Sequence, residues 1–337
     1  MDGLLSWLDS SWVWIVTIVV LIAILAVDLL IIGRRPHEPS MKEATLWISF
    51  FVGLAVVFGV GVLYFEGTQA GTEFFAGWLT EYSLSVDNLF VFIIIMSRFS
   101  VPRQYQQTAL LIGIVLALVM RGIFIGLGAA AINQWAWVFY IFGAFLIYTA
   151  IGFARHGQED EEEFKENPVI GWAKRNLPAT SEYNGIKLTV VENGKRLLTP
   201  MALVIIALGT TDLLFALDSI PAIYGLTKDP YLVFTANVFA LMGLRQLYFL
   251  IGGLLQRLVY LSVGLAVILG FIGIKLILHA LHENNLPFVN GGQPVPVPEV
   301  NIFVSLGVIV GTIVVTTIAS LWRSSRQPER QEANRTT

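Results

Sequence analysis

Glu81-Tyr-Ser-Leu-Ser-Val-Asp87-Asn88-Leu-Phe90 puts two carboxylates, two serines and an asparagine into a run otherwise apolar enough to cross a bilayer. An ionised side chain at the centre of a membrane helix costs about 2.5–3.5 kcal/mol on insertion scales, so such residues mark a pathway or a site. A second stretch repeats the pattern: Thr210-Thr211-Asp212-Leu-Leu-Phe-Ala-Leu-Asp218-Ser219-Ile220-Pro221. In both, the acids are six residues apart and the second acid precedes a small polar residue, Asn88 or Ser219. An arginine follows each at similar distance, Arg121 after Glu81 and Arg245 after Asp212. The chain therefore contains an internal repeat.

Around these stretches the composition is that of a polytopic membrane protein. The 337 residues are 55% hydrophobic and 13% charged, and mean hydropathy is +0.71. Nine apolar segments are long enough to span, at about 12–32, 45–65, 74–97, 107–127, 134–154, 199–220, 232–254, 259–281 and 302–322. Trp12, Trp14, Trp78, Trp135, Trp137 and Trp322 fall near predicted ends, as interfacial belts prefer. The predicted fold is thus all-α, with an inverted repeat of spans 3–5 and 6–8. Residues 1–154 hold five spans, 155–198 a loop, 199–322 four spans and 323–337 a tail.

Loop charge sets the orientation. Seventeen of the 21 basic residues lie after spans 1, 3, 5 and 7 and in the tail, while the alternate loops hold only Lys228. The positive-inside rule then predicts an external N-terminus and a cytosolic C-terminus. The first span has no basic leader or cleavage site before it and reads as uncleaved. In loop 155–198, Glu159–Glu163 reads as a solvated acidic run. Asn193-Gly194 between short apolar runs predicts a β-hairpin. The 283–301 loop, with Pro287, Pro294, Pro296 and Pro298, reads as irregular.

With no cysteine and four histidines, thiolate chemistry is excluded and any bound metal is held mainly by oxygen. Carboxylate, amide and hydroxyl donors suit a hard divalent cation such as Mn²⁺, Mg²⁺ or Ca²⁺. Five acids lie within spans (Asp28, Glu81, Asp87, Asp212, Asp218) against three bases (Arg121, Arg245, Lys275), so a cation or protons would complete the balance. Six residues turn a straight helix through about 600°, leaving Glu81 and Asp87 about 120° apart, whereas seven align Asp212 with Ser219. Either each helix gives one acid to a shared site, or it loosens locally so that both converge; Pro221 favours the loosened form.

Blander roles are weighed beside these. The alternative for Glu81 is a plain interfacial acid, and that for Asp28 a structural pair with Arg34 or Arg35. Arg121, Arg245 and Lys275 read as neutralising charges, and His279 with His282 as a helix end.

Several stretches carry a resemblance: Glu73-Phe74, Glu81–Phe92, Phe142–Leu146, Thr199-Pro200, Phe215–Ile223, Phe234–Ala240, Gly243–Phe249 and Phe271–Lys275. Together they resemble the TerC family, bacterial membrane proteins named after tellurium resistance and including Alx-like manganese exporters. The resemblance implies a secondary transporter in the bacterial inner membrane that exports Mn²⁺ as substrate. Glu81, Asp87, Asn88, Asp212, Asp218 and Ser219 then line the ion path, with no resident cofactor, nucleic acid or catalytic residue. Gly152 and Tyr82 depart from the lysines expected at those places. No Walker A sequence occurs, which argues against ATP-driven pumping. An intramembrane aspartyl protease fits poorly, since Gly209-Thr-Thr-Asp212 lacks the second glycine of its motif. The alternative is a non-transport component of tellurium resistance or membrane-protein assembly.

Overall fold

The computed structural model describes residues 11–34, 40–135, 137–156, 180, 182–192, 195–251, 260–284 and 286–333. Some helical side chains, those of Asp28 and Asp87 among them, lie outside the description. So do the acidic run 159–163, the Asn193-Gly194 turn and Arg257.

Helices dominate. They are α1 (Ser11–Arg34), α2 (Met41–Phe65), α3 (Thr68–Arg98), α4 (Arg103–Gln134), α5 (Val138–His156), α6 (Pro200–Tyr224), α7 (Pro230–Met242), α8 (Leu244–Ile251), α9 (Leu261–His282) and α10 (Ile302–Ala333). Eight spans among the described residues are long and apolar enough to cross a membrane, α7 and α8 forming one of them. The apolar part of α1 described in full is Trp12–Ile24. The chain is an all-α, multi-pass membrane protein. Its small exception is the predicted hairpin: β1 (Thr189–Glu192) pairs antiparallel with β2 (Lys195–Leu198), Glu192 opposite Lys195.

Local chemistry starts the helices where the sequence places caps. Ser40 accepts from Glu43 N (3.2 Å) at the head of α2. Asp229 accepts from Tyr231 N (2.8 Å) at the head of α7, where Pro230 takes the first helical position. Thr199 does two things at the hairpin–α6 junction: its hydroxyl accepts from Ala202 N (3.3 Å) and donates to Lys187 O (2.6 Å). Thr199→Ala is expected to cost about 1 kcal/mol, read as a lowered midpoint of thermal unfolding in detergent.

Packing between the two repeat units is reciprocal. Span 3 (α3) lies mainly against span 7 (α7), and span 4 (α4) against span 6 (α6), as a two-fold relation between units demands. Spans 5 and 8, α5 and α9, make the most extensive helix pair. At its centre Gly143 and Gly273 meet backbone to backbone. A Cβ on Gly143 would lie 2.8 Å from Gly273 O, and one on Gly273 2.9 Å from Gly143 O. Membrane helices have no hydrophobic force pressing them together, so such close approach is a main source of their affinity.

The structure corrects two expectations. Neither α3 nor α6 loosens: both run unbroken through their acidic motifs, α6 continuing past Pro221 to Tyr224. Freed backbone groups would find no water at membrane depth, and Pro221 sits in the last turn, where its missing N–H removes one bond. The interruption falls in span 7, where the chain turns at Gly243 and α8 restarts with Leu247 N donating to Gly243 O (3.0 Å). Trp78 is also no interfacial anchor; it lies buried on α3 against Phe75 and Tyr82.

Candidate functional site: a buried arginine between two acidic motifs

With α3 and α6 regular, α3 brings Glu81 to the buried centre and α6 brings Asp212, while Asp218 of α6 is turned to α5. The seven-residue alignment of Asp212 with Ser219 is used directly, since both meet Arg121 of α4. Arg121 Nη2 lies 3.3 Å from Asp212 Oδ1, and Nη1 donates to Ser219 Oγ at 3.3 Å. Nη1 also forms a salt bridge with Glu81 Oε1 from α3. It donates further to Asn237 Oδ1 (2.9 Å) on α7, whose amide nitrogen is fixed on Val233 O (3.1 Å). Arg121 is 1% exposed, Glu81 0% and Asp212 2%. Four helices thus converge on one guanidinium, and the first acid of each repeat is bound to it.

The cluster is polar beyond what it satisfies. Glu81 Oε2 and Asp212 Oδ2 are buried without a protein hydrogen-bond partner, and so, elsewhere on the same two helices, are Thr80 Oγ1, Ser85 Oγ and Thr211 Oγ1. Leaving such a group unsatisfied costs about 1–3 kcal/mol, more when it is charged. Two carboxylates facing one guanidinium carry a net negative charge. The donor set is entirely oxygen and suits a hard cation rather than a soft one. Among the described residues no three His, Asp or Glu side chains converge closely enough to hold a metal. In this arrangement the carboxylates hold Arg121 instead.

The other predicted residues are placed as follows. Asp218 is directed to α5, where Thr149 Oγ1 donates to its Oδ1 (3.1 Å). Asn88 and Arg245 are buried, Arg245 at the start of α8 just after the Gly243 turn. The side chain of Asp87 lies outside the described residues. Lys275 stands apart from the Arg121 cluster. It lines a cavity of about 380 Å³ at the α6–α7 turn with Glu73, Lys228, His279 and Glu299. There Glu73 accepts from Thr227 Oγ1 (2.6 Å) and Gln69 Nε2 (3.0 Å). A second cavity, about 660 Å³ and lined by Met96, Arg103, Gln106 and Tyr248, lies at the α3–α4 turn, the equivalent place in the other repeat unit. His279 pairs with Glu283 at 3.4 Å, and His282 lies 3.8 Å from Glu299, in keeping with a helix end.

Sequence reasoning did not single out two residues of the site, Asn237 and Thr149. Each is a polar side chain in a mostly apolar stretch, Asn237 two residues after Thr235, and that is the signal that marks it.

The family model "Integral membrane protein TerC family" matches residues 66–328. An uncharacterized membrane protein of Mycobacterium tuberculosis is 52% identical over 93% of this chain and 80% of its own length. One from Myxococcus xanthus is 40% identical over 95% of each chain. Alx of Escherichia coli strain K12, which its name proposes as a membrane-bound redox modulator, is 38% identical over 93% of this chain and 95% of its own. No solved structure matches the chain.

Proposed function

From the premise that the chain is an integral membrane protein of the TerC family, we propose that it is a secondary transporter exporting divalent metal cations, Mn²⁺ foremost, from the cytosol. The observation that carries this reading is the meeting of Glu81 and Asp212 on one buried arginine. The first acids of two repeat units, 131 positions apart in sequence, share a fully buried, all-oxygen site. Inverted repeats whose polar helices meet at mid-membrane are a common plan for secondary transporters. The basic loops support an N-terminus outside the bacterial inner membrane and a C-terminus in the cytosol. The cavity at the α6–α7 turn then opens outward and that at the α3–α4 turn inward. Glu81, Asp87, Asp212 and Asp218, with Asn88 and Ser219, supply the oxygen ligands along the path. The interrupted span 7 supplies a hinge beside Arg245.

The test is Mn²⁺ flux by the purified protein in liposomes, with and without a pH gradient. Asp218→Asn keeps a side chain able to accept from Thr149 while removing the charge. It is expected to lower flux at least tenfold with the melting temperature unchanged. Flux equal to wild type in this variant and in Asp87→Asn would sink the reading.

A second reading takes its support from the name of Alx and from the tellurium-resistance origin of the family name: a non-transport membrane component. Thiol–disulfide exchange by this chain is excluded, because it has no cysteine. The cytosolic hairpin is the natural docking element for such a role. It sits directly on α6, and Tyr183 Oη before it donates to Phe99 O (2.7 Å) at the end of α3. On this reading, acid-to-amide changes spare the phenotype while replacement of 186–198 abolishes it.

A further inference from the structure

We propose that Arg121 is a built-in competitor for the transported cation: it holds Glu81 and Asp212 until the cation displaces it onto Asn237 and Ser219, and its return expels the ion. This rests on the cation-transport reading above.

Hydrogen-bond arithmetic is the first support. Nη1 of Arg121 carries two hydrogens; its hydrogen bonds go to Ser219 Oγ and Asn237 Oδ1, so Glu81 Oε1, its salt-bridge partner, is left without a hydrogen bond. The three acceptors cannot all be satisfied at once. Arg121 Nε, meanwhile, is buried without a hydrogen-bond partner. The guanidinium is therefore poised between an ionic set, Glu81 and Asp212, and a neutral set, Asn237 and Ser219. Asn237 is preset for the neutral arrangement, since its own amide group is fixed on Val233 O and its carbonyl oxygen is turned to Nη1.

Charge gives the second support. Arg121 on two carboxylates leaves the pair with one negative charge in excess, which favours a further cation. A divalent ion together with the guanidinium on the same carboxylates makes one positive charge in excess, in a region 0–2% exposed. The two cations therefore exclude one another. Oε2 of Glu81 and Oδ2 of Asp212, buried and unpartnered, are the atoms on which the incoming ion first gains a hold. Arginine suits the competitor's role better than lysine, because its planar fork reaches acids on two helices together.

The experiment measures Mn²⁺ binding calorimetrically on the full chain in detergent, and Mn²⁺ efflux in liposomes. In Arg121→Gln the Kd is expected to fall at least tenfold while the maximal rate falls at least tenfold, because nothing expels the ion. Arg121→Lys is expected to return Kd toward the wild-type value. Asn237→Leu has the opposite sign: with its neutral resting place removed, Arg121 stays on the acids and Kd rises at least threefold. In Arg121→Gln/Asn237→Leu that rise disappears, since Asn237 acts through the arginine. A purely structural arginine gives weaker binding on removal, and no opposed change in Kd and rate. An unchanged or raised Kd in a folded Arg121→Gln chain overturns the proposal. If that variant does not fold, an unchanged or lowered Kd in Asn237→Leu does so. A wild-type chain that binds no divalent ion overturns the transport reading and this proposal together. Wild-type binding with an unaltered Arg121→Gln Kd overturns this proposal alone.

Discussion

Asp212→Asn and Glu81→Gln are each expected to lower divalent-cation transport at least about thirtyfold while leaving the protein as stable as before. Buried charges normally behave the other way: removing one partner of a buried ion pair costs about 3–5 kcal/mol, because the remaining charge is stranded. Here the described cluster holds two carboxylates and one guanidinium, so losing one acid leaves Arg121 paired with the other. The amide keeps the shape of the side chain and an oxygen that accepts from the guanidinium. The excess negative charge that would attract a cation is gone. Truncating a buried charge that meets a partner costs about 2–5 kcal/mol, so transport is expected to fall from about thirtyfold to a few thousandfold. Mn²⁺ flux into liposomes measures the first effect and thermal unfolding in detergent the second. Full flux with intact stability removes the acids from the path; lost flux with a collapsed melting temperature reduces them to structural groups. By the same reasoning Arg121→Leu strands two carboxylates and is expected to lower stability by about 3–5 kcal/mol.

The second large effect is expected at the α5–α9 crossing, away from the charges. Gly143→Leu places a branched side chain where even a Cβ lies 2.8 Å from Gly273 O and from Ile277 Cγ1. The nearest obstacle is backbone, which cannot turn aside as a flexible side chain can. The two helices must separate, and the most extensive helix pair in the fold is lost. Overpacking by a few methylenes typically costs about 1–3 kcal/mol. Separation of a whole crossing belongs at or above the upper end of that range, read as a melting temperature well below wild type. Gly273→Leu is expected to match it, since the contact is reciprocal. The double variant is expected to cost less than the sum, because one separation of the helices relieves both clashes. Free additivity would show that the two glycines do not share a contact.

Much of this was legible in the chain. The spans, the hairpin register and the buried acids follow from hydropathy, Asn193-Gly194 and the rarity of charge in apolar runs. The alignment of Asp212 with Ser219 on one helical line follows from the helical period and is realised at Arg121. The expectation that α3 and α6 loosen was mistaken for an instructive reason. It required both acids of a motif to serve one point, whereas Glu81 of α3 and Asp212 of α6 meet at Arg121 from unbroken helices and Asp218 goes to Thr149. Convergence is reached by helix packing, at no cost in backbone hydrogen bonds. Lys275 shows the same limit. Charge balance alone groups it with the acids, yet it lines a separate cavity with Glu73 and Glu299.

What the sequence by itself determined is how each helix is painted: which residues are apolar, which acids interrupt them, and which side chains share a face. Those properties depend on the 3.6-residue period and on transfer free energies, which are local to the segment. Only the tertiary structure decided which painted faces meet. It brought Arg121 of α4 to Asp212, Ser219 and Asn237, more than 90 residues away, and it put the break in span 7 at Gly243. Partner choice arises from rigid helices docking as bodies through contacts such as Gly143 on Gly273, and a periodicity within one helix carries no record of that docking.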